Sequence, residues 1–265
     1  MLENKTVAQI GFGYVGKAFH KLFPDAILYD EPLGIGTREE VNQCGLSIIA
    51  VPTDLMPDGT LDGSIVESIV DWVETPLILI KSALQPGTVE RLKAKTGKRI
   101  TVSVEMIGEG NYFVPEWKYP NPKDPTSHNF LIIGGDEKDT SDVAEYLWDK
   151  MSPDINIHLL SATETEICKL FENFWIANKV SVANTLYEIC QAYGANYIKV
   201  LQAWGADGRV KKTMMRVVSS KRGWFSKCLN KDVVALLTTA KNKNVNADII
   251  QAVINANKEH LTKSK

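Results

Sequence analysis

No run of about twenty apolar residues occurs in the chain, so the sequence offers no membrane-spanning helix. The opening MLENKTVAQIGFG lacks a basic stretch followed by an apolar one, so no secretory leader is expected. Cysteine is scarce: Cys44, Cys168, Cys190 and Cys228 are the only four, and none forms a CxxC spacing. That is too few for a disulfide framework in 265 residues, and the setting expected is a reducing cytoplasm with free thiols. Histidine is as scarce, four residues without an HxH or HExxH spacing, so neither a zincin nor a structural zinc site is expected. A large excess of one charge is missing too. The net charge is −2, which argues against a polybasic nucleic-acid binder. Internal repeats and low-complexity tracts are also absent.

What remains is an ordinary globular composition, 44% hydrophobic and 23% charged, long enough for one large domain or two small ones. The first 160 residues carry short, continuously apolar runs at Val7–Gly11, Ala26–Tyr29, Leu46–Val51, Leu77–Ile80, Ile100–Val104 and Phe130–Ile133. Strands buried on both faces read this way. Helical stretches such as Val15–Leu22 and Ser64–Val73 lie between them. Strand and helix in alternation predict an α/β domain with a doubly wound parallel sheet. The proline- and aromatic-rich segment Asn111–His128 reads as a long loop near a site. From Thr163 to Tyr193 there is no Gly or Pro, and Ile167, Leu170, Phe171 and Phe174 recur at helical spacing, predicting one long helix closed by Gly194. Ser161 or Thr163 would cap it, with Glu164 and Glu166 in its first turn. Shorter helices are expected over 197–204, 231–241 and 246–260, with an irregular stretch at 205–227.

Gly11-Phe12-Gly13-Tyr14-Val15-Gly16 follows the first strand and opens a helix. Gly11 permits the tight turn, Gly13 lets a pyrophosphate approach the backbone, and Gly16 lets helix and strand pack closely. Asp30 ends the second strand, nineteen residues after Gly11, where a carboxylate binds a ribose 2′-hydroxyl and repels a 2′-phosphate. The expectation is a Rossmann-type domain over 1–160 that binds NAD, followed over 161–265 by the long helix and a small all-helical domain.

Other residues carry two readings each. From Arg209 to Lys231 eight basic residues occur without an acid. This is a phosphate-binding loop, a nucleic-acid patch with Trp224 and Phe225 as stacking rings, or a solvated face. Cys228 lies inside it, beside Lys227 and Lys231, and is either an activated thiolate able to add to an aldehyde or a structural cysteine. Lys169 and Asn173 share a helix face with Glu166 one turn earlier, either to bind a developing alkoxide and a water or merely as a solvated face. Glu105 and Glu109 flank the end of the fifth strand, as general bases or loop charges.

Taken in order, GFGYVG at 11–16, VPTD at 51–54, KSALQPGT at 81–88, EMIGEG at 105–110, IGGD at 133–136, ETEICKLFENFWIANKVSVAN at 164–184 and GWFSKCLNKD at 223–232 resemble the UDP-glucose/GDP-mannose dehydrogenase family, in a short form without its C-terminal nucleotide-binding domain. The resemblance implies oxidation of a UDP-glucose-like nucleotide sugar at C6 to the uronic acid. Two NAD⁺ are used and a cysteine thioester is the intermediate. It implies Cys228 as the thiolate, Lys169 on the oxyanion, Asn173 on the sugar oxygen or water, Asp232 orienting the water and Glu105 as general base. Substrate contacts would come from Glu109, Lys169, Asn173, Gly223 and Lys231. The cofactor would meet Gly11, Phe12, Gly13, Tyr14, Val15, Gly16, Asp30, Val51, Pro52, Thr53 and Ser82. The basic segment becomes a pyrophosphate loop, which argues against nucleic acid, and the long helix a homodimer contact. The sequence departs from the family pattern at Ala83, at Ser103-Val104-Glu105-Met106, at Phe130 and at Phe225-Ser226, where a water-binding Thr, NPEF, an Arg and a glycine pair are usual. Two alternatives follow: a non-catalytic module binding NAD or a nucleotide sugar, and a β-hydroxyacid-type dehydrogenase, which would not need Cys228.

Overall fold

The computed structural model describes residues 5–104, 106, 107 and 124–264. These form two compact units, one running up to Lys169 and one from Leu170 onward.

The first unit is built on a seven-stranded sheet of β1 (Val7–Ile10), β2 (Ile27–Tyr29), β3 (Leu46–Ile49), β4 (Leu77–Ile80), β5 (Ile100–Val102), β6 (Phe130–Gly134) and β7 (Asn156–Leu160). The spatial order is β2-β1-β3-β4-β5-β6-β7. All pairs are parallel except β5 with β6, which meet antiparallel at Val102 and Gly134. Helices α1 (Tyr14–Phe19), α2 (Arg38–Val41), α3 (Ser64–Trp72), α4 (Thr88–Thr96) and α5 (Glu137–Leu147) connect the strands. The expected doubly wound α/β fold is the one observed.

The reason for the unbroken apolar runs is visible in β4. Leu77 and Leu79 point into one core cluster with Phe19 of α1 and Val143 and Leu147 of α5. Ile78 and Ile80 point into the other, with Val66 and Val70 of α3 and Val89 and Leu92 of α4. Alternate residues therefore serve opposite faces, and both faces exclude water. β7 was not expected from sequence. It is an edge strand with Asn156, His158 and Leu159 exposed, so its residues show no continuous apolar signal. Most of Asn111–His128 lies outside the described residues; of its end, Pro125–Ser127 forms one 3₁₀ turn.

The chain order reverses around β1, which has β2 on one side and β3 on the other. Open α/β sheets leave a crevice at the carboxyl ends of such strands, where ligands bind.

Helix α6 runs Ala162–Ala192, close to the 163–193 expected. Ser161 starts it by reciprocal capping: Glu164 N donates to Ser161 Oγ (3.2 Å) and Ser161 N to Glu164 Oε2 (2.8 Å). The second unit continues with α7 (Tyr197–Trp204), α8 (Lys227–Asn242) and α9 (Asp248–Thr262). Tyr197 anchors it, packed edge-on to Tyr187 and donating to the Met215 carbonyl at 2.8 Å. Burial pushes the Tyr197 phenol up to about 12. The expected α8 began at 231, but it starts four residues earlier, because Ser226 is a true cap whose Oγ accepts from Leu229 N at 3.0 Å.

Candidate functional site

The three glycines of the turn serve different ends. Gly11 sits at φ +89°, and a Cβ there would lie 2.3 Å from the Ala50 carbonyl oxygen. A Cβ on Gly16 would lie 2.1 Å from the Gly11 oxygen. Both glycines are demanded by packing of the protein on itself. Around Gly13 there is no atom within 4 Å of an added Cβ. That open space above a helix N-terminus is a cradle of the kind a pyrophosphate needs.

A cavity of about 790 Å³ opens beside the turn. Gly11, Phe12, Gly13, Asp30, Val51 and Pro52 line it, as expected from sequence. Tyr14, Val15, Gly16, Thr53 and Ser82 are not among its lining residues. Ser82 instead locks the loop after β3, where its hydroxyl accepts from Val51 N (3.0 Å) and donates to Val51 O (2.7 Å). Sequence reasoning missed Lys17, Leu33 and the wall formed by Ser64, Ile65, Ser68, Ile69 and Trp72. The last five fall on one face of α3, so helical periodicity was the available signal. Asp30 is already oriented. Its Oδ2 accepts from Phe12 N at 2.8 Å and its Oδ1 from Leu33 N at 3.1 Å. The carboxylate thus ties the glycine turn to the end of β2 and has further lone pairs for another donor.

Glu166 is fully buried and does not share the first-turn role expected of it. Its carboxylate accepts from Gly87 N (2.6 Å) and Val89 N (2.9 Å), so it sits on the N-terminus of α4. Burial raises its acid to about 7, offset in part by those two backbone bonds.

In the second unit, Asn173 of α6 donates from Nδ2 to Asp232 Oδ2 of α8 at 2.5 Å. Lys231 Nζ approaches Asp232 Oδ1 at 2.9 Å. Asp232 is 1% exposed, so its charge is held by a buried amide and an adjacent ammonium. Cys228 lies four residues before Asp232, on the same face and in the first turn of α8. Oriented N–H groups at that helix end favour negative charge on a side chain placed there. Lys169 stands four residues before Asn173 on α6, on the same face. Within the second unit the structure thus brings together Asn173, Asp232 and Lys231, with Cys228 one helical turn before Asp232 on α8. Glu105 and Glu109 lie outside the described residues.

Three comparisons extend the motif resemblance. Residues 163–259 match the model of the UDP-glucose/GDP-mannose dehydrogenase family, central domain. The chain resembles that family. A UDP-glucose 6-dehydrogenase of Rickettsia bellii is 25% identical over 233 residues, covering 84% of this chain and 51% of that protein. A UDP-glucose dehydrogenase structure from Pyrobaculum islandicum superposes with a TM-score of 0.80 at 21% identity, over 97% of this chain and 69% of the other. A 3-hydroxyisobutyrate dehydrogenase from Mycobacterium tuberculosis gives a TM-score of 0.72 at 14% identity, over 98% and 94% of the two chains. The two structural likenesses establish the fold. The chain spans about half the length of the curated relatives it matches.

Measured against the UDP-glucose/GDP-mannose dehydrogenase pattern, the departures have local explanations. Phe225-Ser226 replaces a glycine pair, yet among the described residues only Met214 and Asn244 have positive φ without being glycine. Ser226 is extended, at φ −155°, and its hydroxyl caps α8. Phe130 lies in β6, its ring stacked on His128 at 5.5 Å. Gly223 is held by packing: it has φ +73°, and a Cβ would meet Asn257 Oδ1 at 2.5 Å. The basic segment is not one positive face. Arg209 pairs with Asp207, buried Arg222 with Glu188, and Lys231 with Asp232.

Proposed function

We propose that the chain is an NAD-dependent nucleotide-sugar 6-dehydrogenase, acting on a UDP-glucose-like substrate. The bond between Asn173 and Asp232 carries this reading, because it assembles a polar cluster one turn from a cysteine at a helix N-terminus. A β-hydroxyacid-type enzyme has no use for that cysteine. Residues 1–160 are assigned to dinucleotide binding and 161–265 to substrate binding and dimerisation.

The residues present fit the cofactor. Gly13 leaves the pyrophosphate its space, Asp30 offers acceptors to the ribose, and Phe12, Val51, Pro52 and Trp72 supply apolar walls. Bound NAD⁺ would supply the hydride acceptor for each of two oxidations. The chain's own residues do the rest. The Cys228 thiolate adds to the C6 aldehyde, forming a C–S bond and placing charge on oxygen, which Lys169 answers. After the second hydride is lost the product is a thioester. A water held near Asn173 and Asp232 attacks its carbonyl, the C–S bond breaks, and the acid and the Cys228 thiol are released, with Glu105 proposed to take the water's proton. Glu109, Gly223 and Lys231 are proposed substrate contacts, and the exposed Lys211, Lys212, Arg216 and Lys221 of the basic segment would face the pyrophosphate, whereas Arg222 is buried on Glu188. A cytoplasmic setting is part of the same proposal, resting on the scarcity of cysteine in the sequence.

Purified protein with NAD⁺ and UDP-glucose is expected to release two NADH per sugar. Cys228→Ser is expected to abolish net oxidation to the acid and leave NAD⁺ affinity unchanged. Full turnover by that variant would remove the thioester role. Binding of NAD⁺ with no NADH from any sugar nucleotide would favour the non-catalytic module.

A further inference from the structure

A short turn, Arg222 to Ser226, delivers Cys228 to the start of α8. Its first three backbone N–H groups are each held by a side chain from outside the turn. Arg222 N donates to Ser264 Oγ (2.9 Å), Gly223 N to Asn184 Oδ1 (3.2 Å) and Trp224 N to Asn257 Oδ1 (2.7 Å). Asn257 also donates from Nδ2 back to the Trp224 carbonyl at 3.0 Å. The Trp224 indole donates to Ser181 Oγ at 2.9 Å. The buried Arg222 guanidinium donates to Asn184 and Glu188, and Glu188 also takes His260 and Lys263.

We propose that Asn257, on α9, is a positioning residue for Cys228. Its amide grips both sides of one residue, the N–H and the carbonyl of Trp224, four positions before the thiol. Two bonds from one planar group fix the direction of the chain as well as its place. The grip lies against Gly223, whose φ of +73° favours glycine and where an added Cβ would come to 2.5 Å from the Asn257 oxygen. Asn257 is itself buried, so neither bond competes with water. The turn therefore enters α8 along one path, and that path sets where the sulfur stands relative to Asp232. The consequence for turnover rests on Cys228 being the nucleophile, as proposed above; the consequence for thiol reactivity does not.

The test is the rate of iodoacetamide alkylation at Cys228 as a function of pH, followed by peptide mass spectrometry on the full chain, with Cys168 as internal reference. Asn257→Leu keeps the branching and the number of side-chain heavy atoms and loses both bonds. It is expected to change the Cys228 rate several-fold and to move its pH midpoint, with Cys168 reactivity and NAD⁺ affinity unchanged. Asn257→Asp keeps the acceptor for Trp224 N and is expected to fall between Leu and wild type. Exposed Asn255→Leu, on the same helix, is expected to behave as wild type. Turnover of Asn257→Leu is expected to fall about tenfold or more in kcat with KM little changed. A folded Asn257→Leu protein with wild-type alkylation rate and midpoint overturns the proposal. If that variant does not fold, Asn257→Ser is read by the same two outcomes. Altered alkylation in the variant together with no turnover in wild type supports the positioning role and removes the dehydrogenase reading instead.

Discussion

Gly13 and Gly223 make opposite predictions from the same substitution. Gly223→Ala forces a Cβ to 2.5 Å from Asn257 Oδ1 at a left-handed φ. It is expected to cost about 1–3 kcal/mol in urea unfolding. Gly13→Ala meets no protein atom, so its stability is expected to stay within about 0.5 kcal/mol of wild type. NAD⁺ affinity, measured by calorimetry, is expected to drop about tenfold or more, because the methyl fills the pyrophosphate cradle. Unchanged NAD⁺ affinity would remove the cofactor reading of that space. Asp30→Ala is expected to weaken NAD⁺ as well, by freeing Phe12 N and removing the ribose acceptor. Residues such as Gly13 and Asp30 were legible because strand, turn and helix are contiguous in sequence. Asn257, Ser181 and Asn184 were not legible, because each meets the Arg222–Trp224 turn from more than thirty positions away and has no motif of its own.

Among the elements, β4 shows why the strands could be read and β7 why one could not. Leu79 is completely buried between β3 and β5, and Leu79→Ala is expected to cost about 2–5 kcal/mol by thermal or urea unfolding. β7 has a neighbour on one side only and keeps polar residues in water, so its pattern resembles a loop. The start of α8 was misplaced because Lys227-Cys228-Leu229-Asn230-Lys231 is polar and basic. The overlooked signal was Ser226, a strong capping residue. Between α6 and α4, Glu166 carries a pH dependence. Its acid is raised from 4.5 to about 7 by burial, so the folded state holds the proton more tightly than the unfolded chain. The resulting stability is full below about pH 4.5 and is lost as pH rises through about 7, amounting to about 3 kcal/mol. Melting temperature is expected to fall over that window in wild type and to be flatter in Glu166→Gln. Parallel curves for the two proteins would place the proton elsewhere.

For the molecule as a whole, the exposed apolar side chains of α6 form a continuous stripe among the described residues. Phe171, Trp175, Val182 and Ile189 are exposed, as is Tyr193 just past the helix end. Their spacings of four, seven, seven and four place them on one narrow stripe, the seam a helix presents to another helix. A second copy of this chain is the proposed occupant. Light scattering is expected to give a dimer for wild type and a monomer for Trp175→Glu, with NAD⁺ binding retained. A wild-type monomer at micromolar concentration would remove this assignment. Among the described residues, no helix is long and apolar enough to cross a membrane.

The strand order also has a consequence in time. Val7 pairs with Leu46 across α1, β2 and α2, Leu46 with Leu77 across α3, and Ile78 with Ile100 across α4, and no hairpin joins any two of these strands. Every rung of the sheet must therefore close a long loop before it gains a single backbone bond, whereas α6 can wind from local contacts alone. Helical signal is therefore expected to return before the sheet is complete, and on the proposed function recovery of NAD⁺ binding is expected to track the completed sheet rather than the onset of helical signal.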